Sequence, residues 1–437
     1  MANADGMISD CRSAAEVAAK AGEILIRAGS ETHRVEDTLV RMMSAHSDSS
    51  EALVFSTGFT LSACAEGKET VTLTRRVFGS VTDIGDICRV NSVSREFCSG
   101  RIDSAEALRR LSLIEERAGL PPVWSAVLTC IASGGFALVY GRDAYETAGA
   151  ALCGAVLSLF SVFLSRIIRG DFLINVLGSA AATILSVSIA FAYASFSGGY
   201  QLRIQYMIIG SIIPLLPGIT VTNAVRDTLY GDYISATSRG LEALLSAVSI
   251  AVGVFLGLKL SAAGGAAANM NLSFISSPST PFEIFMTSVA AGISAAAFAA
   301  LLDVPAGYIP PCALCGTGVW AVYVLCLAWG LSEGAAVLSA SAAADVAAWA
   351  MARHYRIPVT PFLISGVIAL VPGIGLYKTV YFLFLGDTGA VYSSLEETVV
   401  AAGAIAVAVF AVDAGIASFK RIRAIIRSRR KQVSRGI

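Results

Sequence analysis

The sequence predicts an α-helical polytopic membrane protein. About ten transmembrane helices form two five-helix halves of opposite orientation, a 5+5 inverted repeat, behind an N-terminal cytoplasmic α+β domain. Three observations carry this prediction. The 437-residue chain is 55% hydrophobic and 15% charged, with a mean hydropathy of +0.69, which excludes an ordinary soluble enzyme. Charges are spread unevenly: residues 1–120 carry them at soluble density, whereas 123–418 is a succession of long apolar runs. Finally, one segment occurs twice. Ile212-Ile213-Pro214-Leu215-Leu216-Pro217-Gly218-Ile219 returns 155 positions later as Val367-Ile368-Ala369-Leu370-Val371-Pro372-Gly373-Ile374. The same offset maps Gly231-Asp232 onto Gly386-Asp387 and Glu242 onto Glu397, and 17 of 49 positions are identical between 207–255 and 362–410.

The elements follow in order. The first 16 residues, MANADGMISDCRSAAE, lack a basic n-region and an apolar core, so no signal peptide is expected. Helical periodicity over about 8–28 stops at Gly29. Ser30 is the expected N-cap of a helix over about 31–46. Short β-type stretches at 53–55, 59–63 and 70–77 are punctuated by Gly58 and Gly67. Helices over about 81–98 and 104–118 complete a domain of residues 1–120, large enough to form its own core.

Runs near the 17–25 residues needed to cross a bilayer then recur. The first repeat, 123–260, holds spans at about 123–140, 146–168, 172–196, 204–222 and 239–260. The second, 282–418, holds spans at about 282–302, 307–329, 333–352, 360–380 and 396–418. Five spans per half forces the duplicated half to enter from the opposite side. Phe136-Ala137 and Ala151-Leu152-Cys153-Gly154 also match Phe298-Ala299 and Ala313-Leu314-Cys315-Gly316 at an offset of 162. Arg166, Arg169, Arg226, Arg239, Arg353 and Arg356 fall in loops on one side, together with a basic tail at 419–437. The other side has only Arg142, Arg203, Lys259 and Lys378. By the positive-inside rule both termini are cytoplasmic, which puts Ser47 inside and Ser197 and the 262–279 loop outside.

Pro-Gly inside an apolar run predicts a broken helix at a transport site. Pro217 and Pro372 cannot donate to the carbonyls of Ile213 and Ile368, and Gly218 and Gly373 let the chain unwind. Freed carbonyls suit an ammonium group, and the start of the next half-helix suits a carboxylate. Packing kinks are the alternative, weakened by the two related copies. The polar residues after the breaks differ: Thr220, Thr222, Asn223, Arg226 and Asp227 follow the first, Tyr377 and Lys378 the second. Such divergence fits one asymmetric substrate between related halves, while Arg226 and Asp227 also suit an ordinary loop.

Asp345 lies deep in an apolar run, where a charge costs about 2.5–3.5 kcal/mol, so it should face a cavity or a partner. Burial favours proton binding, which makes Asp345 the candidate for proton coupling. Gly231-Asp232 and Gly386-Asp387 read as turn or helix-start signals. Cys312-Ala313-Leu314-Cys315 has redox spacing, but small-residue packing explains it better. With three histidines in the chain, no metal site is expected, and no cofactor. His33, Asp37, Glu31 and Arg34 read as a surface or helix-packing network. No catalytic residues are expected, and zero net charge gives no reason to expect a nucleic-acid partner.

Gly29-Ser30-Glu31-Thr32-His33-Arg34-Val35-Glu36-Asp37-Thr38 resembles the N-terminal signature of the ThrE-type threonine/serine exporter family. Asn91-Ser92-Val93-Ser94-Arg95 is similar to a second element of that domain. Pro214-Leu215-Leu216-Pro217-Gly218-Ile219 and Val371-Pro372-Gly373-Ile374-Gly375-Leu376-Tyr377 resemble the two membrane signatures, and Arg356-Ile357-Pro358-Val359-Thr360 is similar as well. The resemblance covers nearly the whole chain in the right order. It departs at Ala369, where proline is expected. It implies a secondary exporter in the plasma membrane, moving threonine or serine out of the cytoplasm with proton-motive force. A related split system is associated with dicarboxylate export. The expected substrate pathway is Pro217, Gly218, Thr220, Thr222 and Asn223 with Pro372, Gly373, Tyr377 and Lys378. A membrane-anchored hydrolase and a sensor or channel are the readings from other classes, and the oligomeric state stays open.

Overall fold

The computed structural model describes residues 2–44, 46–64, 69–79, 82–196, 202–264 and 280–433. The N-terminal elements are α1 (Ala2–Arg27), α2 (Thr32–Met43), strands β1 (Ser49–Phe55), β2 (Gly58–Cys64) and β3 (Val71–Arg76), then α3 (Ile84–Cys98) and α4 (Ser104–Glu115). The strands form one antiparallel sheet in the order β1-β2-β3, with Leu61 opposite Ala52 and Leu73. Alternation along β2 buries Phe59, Leu61 and Ala63 against the helices, as a sheet with one covered face requires. Val17, Ala21 and Leu25 of α1 meet Leu39, Val90, Phe97 and Leu111 in this core. Helix starts follow capping carboxylates. Asp83 accepts from the Asp86 amide and Asp103 from the Glu106 amide, both at 2.8 Å, so the third helix starts at 84 and not near 81. Ser30 is not the cap of α2. Glu31 holds that position and makes no capping bond there, because its side chain is engaged elsewhere.

The apolar region comprises α5 (Pro122–Gly141), α6 (Ala144–Ser165), α7 (Asp171–Phe196), α8 (Ile204–Ile212), α9 (Gly218–Leu229) and α10 (Tyr233–Ala263). It continues with α11 (Pro281–Leu301), α12 (Ile309–Ala328), α13 (Glu333–Tyr355), α14 (Thr360–Val367), α15 (Gly373–Leu385) and α16 (Thr388–Val433). Among the described residues, nine helical segments are long and apolar enough to span a bilayer. There are ten if α8 and α9, bent by 55° at their break, form one span. The protein is therefore a polytopic helical membrane protein. Ser197 and residues 265–279, assigned to the outer face from charge, lie outside the described residues. The backbone of α16 stays helical to Val433 and does not end near 418.

Side chains sort as lipid demands. On α10, Ala243, Ala247, Gly253 and Gly257 face the interior, while Leu241, Leu244, Leu256 and Leu260 are exposed. On α11, Ala290, Ala291, Ser294 and Ala295 are buried and Phe282, Phe285 and Ile293 face outward. Small residues inside allow close helix approach, and large apolar ones meet the acyl chains. Both Gly-Asp pairs act as stop-and-start signals. Gly231 and Gly386 take positive φ angles of 85° and 75°, where glycine carries no Cβ penalty. Asp232 and Asp387 then accept from the amides of Ser235 and Ala390 at the start of the next helix.

The N-terminal elements cover one end of the bundle. Arg226 near the end of α9 pairs with Glu31, and Arg239 of α10 donates to the Ser30 carbonyl at 2.6 Å. The Ile84 amide donates to Leu302 at 2.9 Å, just after α11. Arg34 donates to Thr360 at 2.7 Å, at the start of α14. The opposite end is tied by Arg203–Glu146 at 2.9 Å and Arg142–Glu283 at 3.5 Å.

Candidate functional site

The two Pro-Gly segments take the same local path. A 3-10 turn covers Ile213–Leu215 in one and Ile368–Leu370 in the other. The residue before each proline is then extended, Leu216 at φ -66°, ψ 134° and Val371 at φ -64°, ψ 133°, as proline requires of its predecessor. New helices begin at Gly218 and Gly373 with no side-chain cap. Three expectations change. The Ile213 carbonyl is not free, because the tight turn lets the Leu216 amide donate to it at 3.0 Å, and the Gly218 amide donates to Leu216 at 2.8 Å. Only the first break bends its span beyond 40°, whereas Thr360–Leu385 counts as a single span. Neither Gly218 nor Gly373 has a positive φ, so unwinding is not what requires glycine there. Close approach is. A Cβ at 218 would fall 1.8 Å from Val371 Cγ1, and one at 373 would lie 3.0 Å from Leu216 Cβ and 3.5 Å from Gly218 Cα. The breaks pack on each other.

A cavity of about 490 Å³ opens beside this contact. Pro217, Gly218, Thr220 and Gly373 line it, with hydroxyls from Ser125, Thr129, Ser158, Ser161 and Ser246 and the carboxylate of Glu242. Phe136, Leu157 and Phe298 supply apolar wall, and Thr82 of the N-terminal segment reaches the same space. No lysine, arginine or histidine is among its lining residues. Tyr140 closes one side, its hydroxyl donating to the Ala369 carbonyl at 3.2 Å.

The other expected pathway residues are dispersed. Thr222 and Asn223 lie away from the large cavity, around a narrow gap next to Arg226, and Thr222 donates to the Gly218 carbonyl at 3.1 Å. Pro372 and Lys378 line a separate, smaller cavity. Tyr377 is fully buried among Ile208, Ile212 and Ile250, with its ring 5.9 Å from that of Tyr381. Its hydroxyl has no hydrogen-bond partner among the described residues. Glu242, one of the two recurring acids, is the one charged residue lining the cavity among the described residues. Its recurrence at 397 was the available signal.

A buried ionic cluster joins the N-terminal turn to the membrane helices. Glu31 pairs with Arg226 and, at 3.0 Å, with Arg34. Arg226 also faces Asp413 at 3.8 Å, Asp227 faces Arg239 at 3.4 Å, and Thr32 donates to Asp227 at 3.2 Å. Arg226 and Asp227 are thus buried members of a network and not solvated loop residues. Asp345 is 1% exposed, within electrostatic reach of Asp413, Arg226, Arg34 and Glu31. Its Oδ2 has no hydrogen-bond partner among the described residues. Burial alone would raise the Glu31 pKa, but the fields of Arg226, Arg34, His33 and Arg239 outweigh it and hold the carboxyl at about 2. His33 stacks on Tyr230 at 4.1 Å, and burial pushes its pKa below the usual imidazole value despite the nearby Glu31. The motif around residue 31 is a docking element, consistent with a helix-packing role. Cys312 and Cys315 are buried thiols in α12.

A bundle of apolar spans with two broken helices touching at its centre, beside a polar-lined cavity, is the architecture of a membrane transporter. The chain belongs to the ThrE threonine/serine exporter family. Residues 16–261 match the family model described as "Putative threonine/serine exporter". Residues 287–414 match the one described as "Threonine/Serine exporter, ThrE". The chain is 28% identical over 255 residues to the "Threonine/serine exporter" of Corynebacterium glutamicum, covering 56% of this chain and 50% of that protein. It is 22% identical over 387 residues to the "Probable threonine/serine exporter" of Mycobacterium tuberculosis, covering 86% of this chain and 71% of the relative. The match therefore spans half the length of the Corynebacterium protein. No solved structure matches the chain.

Proposed function

We propose that the protein is a secondary active exporter of small hydroxy amino acids, with threonine and serine as substrates and protons as the coupling ion. The observation that carries this reading is the chemistry of the large cavity: one carboxylate, several hydroxyls and no cation among its lining residues. The substrate ammonium meets Glu242, its carboxylate meets the uncapped start of α9, and its side-chain hydroxyl bonds Thr220 or Ser246. A dicarboxylate would bring two negative charges to a site whose one charged lining residue is already negative. The two relatives, a threonine/serine exporter and a probable threonine/serine exporter, favour the same substrates.

Pro217, Gly218, Thr220 and Gly373 form the central contact surface of the pathway. Thr222, Asn223, Pro372, Tyr377 and Lys378 flank it. Proton coupling is assigned to Asp345, buried beside the Arg226 cluster. The membrane region is read as a 5+5 inverted repeat over 123–260 and 282–418. Supporting this, α9 ends and α14 begins at the N-terminal elements, so the two breaks are crossed in opposite directions. Residues 1–120 are read as a cytoplasmic domain with its own core, and the chain as a plasma-membrane protein with both termini inside. Efflux of labelled threonine from proteoliposomes, with and without a pH gradient, tests the function. Gradient-stimulated efflux that excess serine suppresses and succinate does not is expected. Succinate transport indifferent to excess threonine would reverse the substrate assignment.

A further inference from the structure

A second cavity, of about 100 Å³, lies across the contact between the two breaks. That is several times the space one water needs, and suits only a small molecule. Its charged lining is Glu333, Lys378 and Glu397, with Tyr140, Trp320, Tyr323 and Thr398 adding polar atoms. Lys378 and Glu397 face each other at 2.9 Å, the lysine side chain 12% and the glutamate 42% exposed, so the lysine is held at the cavity wall and the glutamate stands at its mouth. Tyr323 donates to Glu333 at 3.5 Å.

Two features tie this space to the larger cavity. Tyr140, Val371 and Ile374 line both, so the partition is about one side chain thick, latched by the Tyr140–Ala369 hydrogen bond. Each cavity also holds an acid at the same duplicated position, Glu242 in one and Glu397 in the other, 155 residues apart. The cavities reach towards opposite ends of the bundle. Thr82 of the N-terminal segment lines the first, whereas Glu333, in the first turn of α13, lines the second. That end of α13 is remote from Arg356 just beyond its other end, whose carbonyl meets Arg95 of the N-terminal elements at 3.2 Å.

We infer that the Lys378–Glu397 cavity is a second binding site for the transported zwitterion, occupied after it passes the Tyr140–Val371–Ile374 partition and before release on the far side. Opening the ion pair gives the substrate carboxylate to Lys378 and its ammonium to Glu397 and Glu333. With the pair closed, Glu397 compensates the largely buried Lys378 charge, which would otherwise face a low-dielectric wall. The closed pair also disfavours a lone anion, which would take Lys378 and leave Glu397 and Glu333 uncompensated. This inference rests on the amino-acid reading above.

The test is threonine exchange by the full chain in oriented proteoliposomes, with half-saturation measured separately from each side. Lys378→Gln and Glu397→Gln should raise the far-side value at least tenfold relative to the near-side value. Glu242→Gln should shift the ratio in the opposite direction. Lys378→Arg keeps the charge and should recover most of the far-side affinity, separating lost chemistry from a damaged fold. Equal shifts on both sides, no shift on either, or no recovery by arginine would overturn the second site. Wild-type protein without threonine exchange from either side would instead overturn the amino-acid reading, and this inference with it.

Discussion

Replacing Gly218 with alanine tests the contact between the two breaks directly. The added methyl carbon would sit 1.8 Å from Val371 Cγ1, roughly half the 3.5–4.0 Å of an unstrained carbon contact. Val371 must therefore move by about 2 Å, or the two segments must separate. Its side chain lines both cavities, so either response reshapes the partition. Overpacking of this kind costs about 1–3 kcal/mol. Val371→Ala removes the offending methyl and leaves Cβ at 3.1 Å from the new carbon, a tight contact that a small shift relieves. The double variant Gly218→Ala/Val371→Ala should then be more stable than the sum of the single changes by about 1 kcal/mol or more, as expected for coupled neighbours. Thermal unfolding in detergent and threonine counterflow in proteoliposomes give the two readouts. Gly218→Ala should lower both, and the double variant should regain part of each. Wild-type behaviour of Gly218→Ala, or strict additivity in the double variant, would refute the packing argument.

Glu31→Ala strands Arg226, leaving it only Asp413 at 3.8 Å, and removing one partner of a buried pair costs about 3–5 kcal/mol; a thermal midpoint equal to wild type would exclude this. The Glu31 pKa falls from 4.5 to about 2 on folding, so its stabilisation, on the order of 3 kcal/mol, is complete above pH 4.5 and is lost as pH falls towards 2. Glu31→Gln should flatten that part of the stability–pH curve, and an unchanged acid limb would refute the assignment. Asp345→Asn should abolish the response of efflux to a pH gradient while threonine exchange persists; unaltered gradient-driven efflux would leave Asp345 a structural residue. Cysteine labelling should find Ser47 accessible from inside and residues of the 262–279 loop from outside, and a cytoplasmic 262–279 loop would sink the inverted-repeat proposal.

The spans were legible because lipid imposes a local rule: a run of apolar residues long enough to cross the bilayer, ended by Gly-Asp or a capping acid. Pro217 and Pro372 were legible as breaks for an equally local reason, the missing amide. What glycine does beside them was not. The 1.8 Å conflict at Gly218 involves Val371, more than 150 positions away, and no periodicity reports that distance. Tyr377 followed a break in sequence and so read as pathway; that helix rotation packs its ring in the core beside Tyr381 was not legible from its position. Glu31 read as a first-turn acid or a packing residue because its neighbours in sequence gave no hint of Arg226. Glu242 and Glu397 were visible as a repeated pair, but only the cavities on either side of the partition give the repetition a chemical meaning.

The docking of the N-terminal turn gains significance from which helices it touches. It meets Arg226 and Arg239 of α9 and α10 and Thr360 of α14, while Arg226 in turn faces Asp413 of α16. Under the proposed function, substrate passing from one cavity to the other would separate the breaks, which join α8 to α9 and α14 to α15. Any such separation changes the spacing between Arg226 and Asp413, and between Thr360 and the Arg34 that holds it. The Glu31 cluster therefore spans the joint that must open. Its buried charges tolerate little displacement, because an uncompensated charge in a water-poor interior is costly. Under the proposed function, the intact cluster would hold that joint closed, and neutralising a charge within it would loosen it. Asp345 is buried within electrostatic reach of Arg226 and Asp413, and this is the ground on which the proposed proton coupling is assigned to it.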